Sequence, residues 1–192
     1  MSKKIISLDI DGVVVNYPCQ MYDYAEKYIG FKPKSKSELI DALKEKRLAY
    51  EEFKIQYRKK YECIDSDKCE ATITSDFWEF YGILSKEGKF DIVFRTTRPV
   101  KSYPNQLKNT NRWLNSLGIK CIAVVPKDEE SFNKFNPILH VDDEISHLEA
   151  HLMYTLNDKL IHYNKNLNLL IKHSNFKEIK TLVDIWNIMK IY

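Results

Sequence analysis

Residues 4–14 read KIISLDIDGVV and begin with a short hydrophobic run rich in isoleucine. Such a run is typical of a strand buried inside a parallel sheet. Asp9 and Asp11 follow one residue apart, and Gly12 comes next. Two carboxylates this close repel each other unless a cation or a proton lies between them. The stretch therefore predicts a ligand site at the carboxyl edge of an α/β sheet, where open sheets bind their ligands.

The size, charge and cysteines of the chain limit the alternatives. Its 192 residues suit one α/β domain with a small appended subdomain. The net charge of +3 is too small to indicate a nucleic-acid or membrane partner. The four cysteines form no CxxC pair and show no zinc spacing. Because Asp9 and Asp11 interrupt the N-terminal hydrophobic run, it does not match a signal peptide, and we expect a cytoplasmic protein.

Residues 16–87 show helical periodicity and no pattern of a second buried strand. Helices are predicted over residues 19–29, 36–45, 50–61 and 75–84. The interval is too long for a single crossover helix, so it predicts an inserted helical subdomain. We expect an α/β core of residues 1–15 and 88–192 and a helical cap of residues 16–87, whose last helix is assigned to either part. Because this insertion begins directly after Asp9 and Asp11, we expect it to lie over them.

After residue 88 the pattern changes to strands that alternate with helices. Strands are predicted at residues 90–94, 121–125, 138–141 and 160–163. Helices are predicted between Pro104 and Gly118, over residues 128–135, from Ile145 onward, and over residues 175–189. Repeated β–α units with short connections predict a doubly wound parallel sheet with helices on both faces, so the fold class is α/β.

Polar residues stand where the predicted strands end. They are Asp9 and Asp11, Thr96 and Thr97, Lys127, and Asp142 and Asp143. Magnesium prefers hard oxygen ligands and takes one or two carboxylates together with water and phosphate. A carboxylate can attack phosphorus, a second acid can transfer the proton, and threonine or lysine can donate hydrogen bonds to a phosphate. Because phosphoryl transfer depends on positioning and charge neutralisation, the set predicts magnesium-dependent phosphoryl transfer at this edge.

Three of these segments resemble motifs of the haloacid dehalogenase-like phosphatases. Residues 9–13 (DIDGV) resemble the first motif, residues 96–99 (TTRP) the second, and residues 138–143 (ILHVDD) the fourth. The resemblance covers the chain from Ile5 to about Ser146. It implies a Rossmann-like core, an aspartyl-phosphate mechanism, Mg²⁺ as cofactor and a small-molecule phosphate ester as substrate.

The resemblance implies a catalytic role for four residues. Asp9 would be the nucleophile, and Asp11 the general acid and base, with its backbone carbonyl also binding the metal. Thr96 would hold the transferring phosphoryl group. We assign the lysine of the third motif to Lys127, which directly follows a predicted strand. Lys134 is closer in sequence to the acid pair and stays open as the alternative.

Metal and substrate ligands follow from the same resemblance. Asp9 and Asp143 would bind Mg²⁺ through their carboxylates, with Asp142 in support. Thr97 and Arg98 follow the threonine of the second motif and would contact the substrate.

A helical insertion directly after the first motif implies a cap of the C1 type. Residues 9–17 (DIDGVVVNY) are similar to the start of the 5′(3′)-deoxyribonucleotidases, which implies a nucleotide-like substrate and places Tyr17 at the phosphate or base pocket. Ile10 within the first motif and Arg98 after the threonines depart from that subgroup. Another small phosphorylated metabolite is therefore kept as an alternative to a nucleotide.

Two other functions use the same motifs or the same fold. A polynucleotide 3′-phosphatase needs a basic groove, and the lysine-rich segment 54–60 offers only a faint one. A regulatory protein that keeps the fold without turnover usually lacks a motif aspartate, and none is missing here.

Residues 147–151 (HLEAH) invite comparison with the zinc proteases. Their motif places a glutamate directly after the first histidine, and here Leu148 intervenes. We therefore expect His147 and His151 to lie on the exposed face of a helix. His140 falls inside a predicted buried strand and is expected to be a core histidine.

Overall fold

Six parallel strands form one sheet in the order β3-β2-β1-β4-β5-β6. The computed structural model describes residues 3–164 and 176–189. The strands are β1 Lys4–Asp9, β2 Phe90–Thr96, β3 Ala123–Pro126, β4 Leu139–Asp142, β5 Leu160–Tyr163 and β6 Lys177–Ile179. β1 lies between β2 and β4, and Ile6 and Leu8 are fully buried. The predicted α/β fold with a parallel sheet is confirmed.

Helices connect the strands, and most begin or end where the sequence supplies a cap. They are α1 Cys19–Ile29, α2 Lys36–Glu45, α3 Tyr50–Tyr61, α4 Ser75–Glu87, α5 Gln106–Ser116, α6 Glu129–Phe135, α7 Ile145–His151 and α8 Val183–Met189. Ser35 accepts a hydrogen bond from the Glu38 amide at the start of α2, and Asp128 accepts one from the Ser131 amide at the start of α6. Such side-chain caps satisfy backbone donors that the first turn leaves without partners. None of the helices among these residues has the length and hydrophobicity needed to cross a membrane.

The prediction of one long helix over residues 175–189 is wrong for the part that the structure describes. Asn175 lies outside the described residues, and β6 pairs with β5 in the edge position of the sheet. The helix begins only at Val183. Asp184, in the first turn of this helix, accepts hydrogen bonds from the backbone amides of Lys180 and Thr181, which lie just before the helix. Pairing with a neighbouring strand is a long-range contact, so local helical periodicity did not reveal it.

The chain divides into two compact units. A sheet unit comprises Met1–Val15, Ile73–Thr97 and Lys120–Tyr192, and a helical unit comprises Asn16–Thr72 and Arg98–Ile119. The sequence left the assignment of α4 open and placed α5 in the core. α4 belongs to the sheet unit, where Asp76 accepts hydrogen bonds from the Tyr163 hydroxyl and the Leu182 amide. α5 belongs to the helical unit instead of the core.

Buried polar contacts tie α5 to the end of α3. The Gln106 side chain donates to the Glu62 carbonyl over 3.0 Å, and the Asn109 side chain donates to the Cys63 carbonyl over 3.2 Å. The core of the helical unit combines aromatic and aliphatic side chains. Phe53 and Tyr57 of α3 are buried against Tyr24 of α1, and Leu39 and Leu43 of α2 are buried in the same cluster.

Candidate active site

The carboxyl ends of β1, β3 and β4 bring one ammonium group between two carboxylates. The Nζ atom of Lys127 lies 3.0 Å from Oδ1 of Asp9 and 2.7 Å from Oδ2 of Asp142. Leu8 pairs with Val141 across the sheet, so Asp9 and Asp142 occupy equivalent positions on neighbouring strands. At most 5% of each of these three side chains is exposed. The fold therefore buries an ammonium group in contact with two carboxylates.

Burial and charge act against each other at these three groups. Burial raises the pKa of Asp9 well above its usual range, and Lys127 offsets only part of this effect. Burial alone would also raise the pKa of Asp142, but contact with His140 and the ammonium of Lys127 hold it well below its usual range. Burial disfavours the ammonium form of Lys127, yet the charges of Asp9 and Asp142 raise its pKa. The electrostatics thus support a charged Lys127 and Asp142 and disfavour ionisation of Asp9 in the absence of a further cation.

Asp143 lies against the backbone of Gly12. A Cβ atom built at Gly12 would stand 2.0 Å from Oδ2 of Asp143, and the φ angle of Gly12 is +100°. Both observations require glycine, because a side chain would overlap the carboxylate and the backbone conformation is strained for L residues. The glycine that follows the two aspartates therefore makes room for an acid from the end of β4.

The carboxylates of Asp9, Asp142 and Asp143 form a group with metal-binding geometry. One oxygen from each lies within 4.8 Å of the others. Hard oxygen donors in this number suit Mg²⁺, so the donor set fits the cofactor that the sequence implies. Both oxygens of Asp142 already contact protein donors, Oδ2 at Lys127 and Oδ1 at the Glu144 amide. Asp9 and Asp143 are therefore the better candidates for metal ligands.

Three further predicted site residues, Asp11, Thr96 and Thr97, lie in the sheet unit near the ends of β1 and β2. Asp11 is partly buried and forms an isolated β-bridge with Val15. Thr96 ends β2 and is buried, and its carbonyl accepts a hydrogen bond from the Lys127 amide over 3.1 Å. Thr97 is exposed. The end of β2 and the residue after β3 are thus held together by a backbone contact beside the acid cluster.

Lys127 and Lys134 have different surroundings. Lys134 is exposed, and its Nζ atom lies 5.6 Å from the centre of the Phe135 ring. Lys127 contacts Asp9 directly. Of the two lysines, the structure therefore brings Lys127 into contact with Asp9 and leaves Lys134 at the surface.

Tyr17 and Arg98, which we assigned to the substrate, belong to the helical unit. The Tyr17 hydroxyl accepts a hydrogen bond from Lys54 over 3.2 Å. Arg98 is buried, and its guanidinium donates to Thr110 over 3.2 Å and to the Glu62 carbonyl over 3.4 Å. These contacts give Arg98 a structural role inside the helical unit. A role in substrate binding stays a prediction for both residues.

His140 orients Asp142 from inside β4. Its Nδ1 atom lies 2.9 Å from the Ser7 hydroxyl, and its Nε2 atom lies 3.3 Å from Oδ2 of Asp142. Burial lowers the pKa of His140 to about 4, so the ring is neutral. Because a carboxylate only accepts, the Nε2 proton points to Asp142 and the Ser7 hydroxyl donates to Nδ1. His140 is a core histidine, as predicted, and it also supports the acid cluster.

The expectation of an exposed face for His147 and His151 is wrong. His151 is 2% exposed, and the His147 side chain is 32% exposed. Helix α7 begins directly after the acid pair and packs against the sheet, so the two residues point inward where sequence spacing alone predicted a surface. None of the histidines is in the potential metal-binding group found among the described residues.

A buried arginine holds His151. Arg95 of β2 places Nη1 2.5 Å from Nε2 of His151, and Nδ1 of His151 lies 2.6 Å from the His147 carbonyl. An arginine can only donate and a carbonyl can only accept, so the His151 proton is on Nδ1. Burial lowers the pKa of His151 to about 3, in agreement with this neutral form. The sequence signal for this contact is an arginine that directly follows the predicted strand of residues 90–94, and local patterning does not connect it with His151.

Comparison with solved structures identifies the fold of this chain. No family model and no curated protein sequence matches this chain. A candidate β-phosphoglucomutase from Thermotoga maritima aligns with a TM-score of 0.61 at 13% identity, over 98% of this chain and 99% of that one. The D,D-heptose 1,7-bisphosphate phosphatase from Burkholderia thailandensis aligns with a TM-score of 0.52 at 14% identity, over 99% and 100%. This chain has the fold of the haloacid dehalogenase-like hydrolases.

A haloacid dehalogenase-like family hydrolase from Xanthomonas campestris aligns similarly, with a TM-score of 0.52 at 9% identity over 99% of this chain and 96% of that one. At these identities the likeness establishes the haloacid dehalogenase-like fold alone.

Within that fold the chain leaves the sheet unit after Val15 and returns at Ile73. These two residues form an antiparallel bridge, and the Thr74 amide donates to the Val14 carbonyl over 2.9 Å. The insertion therefore begins and ends at adjacent points of the sheet unit.

Proposed function

We propose that the protein is a magnesium-dependent phosphomonoester hydrolase that acts through an aspartyl-phosphate intermediate. The observation that carries this proposal is the contact of Lys127 with Asp9 at the end of the central strand, with Asp143 alongside. The haloacid dehalogenase-like fold supports the same reaction class. Mg²⁺ held by Asp9 and Asp143 would supply positive charge that favours ionised Asp9 and binds phosphate oxygens.

In the first half of the reaction Asp9 is the nucleophile. Oδ1 of Asp9 contacts Lys127, so Oδ2 is the oxygen that attacks phosphorus. The bond between phosphorus and the ester oxygen breaks, and Asp11 gives its proton to the departing oxygen. Lys127 holds the Asp9 carboxylate, and Thr96 donates a hydrogen bond to the transferring phosphoryl group.

In the second half water releases the phosphate. Asp11, now a carboxylate, takes a proton from the water molecule that attacks phosphorus. The bond between phosphorus and Oδ2 of Asp9 breaks, which yields inorganic phosphate and restores the carboxylate. Asp142 keeps Lys127 charged throughout, since its own pKa is held low.

For the substrate we propose a nucleotide-like phosphate ester, as a 5′-nucleotidase would use. The similarity of residues 9–17 to the 5′(3′)-deoxyribonucleotidases supports this assignment. In the helical unit Lys54 lies 5.0 Å from the centre of the Tyr17 ring and 5.5 Å from that of Tyr57, a cation beside aromatic faces. The T. maritima and B. thailandensis proteins are named for phosphorylated sugars, so a sugar phosphate is the second substrate class.

We assign the helical unit as a C1 cap, because its first segment is inserted directly after the first motif. The partner that this assignment implies is a small molecule, with no membrane or nucleic-acid partner, and the expected location is the cytoplasm. A cap that selects substrates would make specificity depend on residues such as Tyr17.

The test is a panel of phosphomonoesters assayed with Mg²⁺ and with a chelator. The panel contains 5′- and 3′-deoxynucleotides, sugar phosphates and a 3′-phosphorylated oligonucleotide. We expect hydrolysis that the chelator abolishes and that Asp9→Asn lowers by at least about 10³-fold. Asp91→Asn, a matched change at the exposed ion pair with Lys3, should retain wild-type rates.

Each other outcome has a defined meaning. Full activity of Asp9→Asn would exclude the aspartyl-phosphate mechanism. Preference for the oligonucleotide would indicate a polynucleotide 3′-phosphatase. Absence of turnover on every ester would contradict the enzyme proposal and favour a regulatory protein with this fold.

A further inference from the structure

The buried ammonium of Lys127 has three hydrogen-bond donors and three nearby acceptors. Two are the carboxylate oxygens of Asp9 and Asp142, at 3.0 and 2.7 Å. The third is Nδ1 of His147, at 3.0 Å. The Lys127 side chain is 3% exposed, so water has little access to any of its protons. A buried donor without an acceptor is costly, and His147 supplies the acceptor that the two acids do not.

The surroundings of His147 determine which of its nitrogens carries the proton. Nδ1 lies 3.0 Å from Lys127 and 3.3 Å from Oδ1 of Asp142. Lysine can only donate, and Oδ1 of Asp142 already accepts the Glu144 amide over 3.1 Å. The shorter contact and the donor-only partner make Nδ1 an acceptor. Nε2 is then the nitrogen that carries the ring proton.

The backbone of His147 is also held. Its carbonyl accepts a hydrogen bond from Nδ1 of His151 over 2.6 Å, and Nε2 of His151 accepts one from Arg95. Arg95 is anchored in turn by the Asp128 carbonyl at 2.5 Å. Helix α7 therefore presents His147 from a support of buried, hydrogen-bonded side chains, which is the condition for a side chain that must position a neighbour.

We propose that His147 is a positioning residue that fixes the Lys127 ammonium against Asp9. This inference rests on the proposed phosphatase function for its kinetic consequence. Without the third acceptor the ammonium shifts toward Asp142, its shorter contact, and away from the nucleophile. The loss then affects the chemical step more than substrate binding, because His147 acts through Lys127.

The kinetic test compares two substitutions of similar size. His147→Asn retains an acceptor oxygen close to the position of Nδ1, and His147→Leu removes it. We expect His147→Leu to lower kcat about tenfold with KM changed by less than about twofold, and His147→Asn to recover most of kcat. Thermal unfolding of both variants shows whether each folds. Equal kcat of His147→Leu and wild type would overturn the proposal, and so would equal losses in both variants.

A second test needs neither metal nor substrate. In ¹⁵N NMR spectra of the metal-free protein at pH 8, the Nδ1 resonance of His147 should be that of an unprotonated acceptor and Nε2 should carry the proton. Lys127→Met should shift the Nδ1 resonance. A proton on Nδ1 would contradict the inference. If wild-type protein hydrolyses no ester, the proposed function fails, whereas the NMR result still decides the contact.

Discussion

Asp9 and Asp142 end neighbouring parallel strands at equivalent positions, and the ammonium of Lys127 lies between their carboxylates. The arrangement follows from register, since Leu8 pairs with Val141 one residue earlier on each strand. Two acids buried this close to each other repel when both are charged, and the ammonium between them offsets part of that cost. A single lysine therefore links the stability of the sheet edge to the chemistry proposed for it.

Removal of that lysine should destabilise the protein. Lys127→Met leaves Asp9 and Asp142 buried without their cation, and we expect a loss of about 3 kcal/mol in the free energy of unfolding at pH 7.5. Urea denaturation measures this loss. The matched change Lys134→Met, at an exposed lysine, should stay within about 0.5 kcal/mol of wild type. Equal stabilities of the two variants would contradict the proposed charge balance.

Substitution of Gly12 should lower activity about 10²-fold with the fold largely retained. Gly12→Ala places a Cβ atom 2.0 Å from the Asp143 carboxylate, so the acid or the loop must move. Because a small displacement of a reacting group lowers the reaction rate about 10²-fold, we expect about 1% of wild-type activity.

Gly82→Ala serves as the control for this substitution. Gly82 lies inside α4, and apart from its chain neighbours and the backbone of its own helix no atom lies within 4 Å of the added Cβ. Alanine should therefore preserve activity and stabilise the helix by up to about 1 kcal/mol. If Gly12→Ala were as active as Gly82→Ala, the observed position of the Asp143 carboxylate would not be required for activity.

Magnesium should stabilise the folded protein through Asp143. A ligand that binds only the native state raises the unfolding temperature. The rise increases with the ratio of the ligand concentration to its Kd. We expect millimolar Mg²⁺ to raise the unfolding temperature of wild type and of Asp91→Asn. The rise should be much smaller for Asp143→Asn. Equal shifts in all three proteins would indicate that Mg²⁺ binds elsewhere.

Acid should destabilise the protein in part through His151. Its folded pKa of about 3 lies below the usual value of 6.5, so on acidification the unfolded chain binds the proton first. The contribution of His151 to stability is complete above pH 6.5 and is lost as the pH falls toward 3. Its slope is about 1.4 kcal/mol per pH unit in the middle of that range.

Urea denaturation between pH 4.5 and 7.5 tests this contribution by comparison of wild type with His151→Gln, which does not titrate. The difference in stability between the two proteins should shrink steadily as the pH falls. Curves that run parallel would show that His151 binds its proton at the same pH in the folded and unfolded states, against its burial and its contact with Arg95.

Local pattern was sufficient for much of the secondary structure. The helices Cys19–Ile29, Lys36–Glu45 and Tyr50–Tyr61 and the strand Leu160–Tyr163 have the predicted bounds. Periodicity and capping are properties of adjacent residues, and they decide these elements. Strand β6 was missed because three residues carry too little pattern and gain their structure from pairing with β5.

The buried strand, the paired aspartates and the glycine after them were enough to indicate an α/β sheet with an acidic site at its edge. Tertiary structure alone decided which lysine contacts Asp9, why Asp142 stays charged, and that His147 and His151 point inward. The reason is physical. These contacts join residues far apart in the chain through strand order and helix packing, and neither is expressed in the spacing of neighbouring side chains.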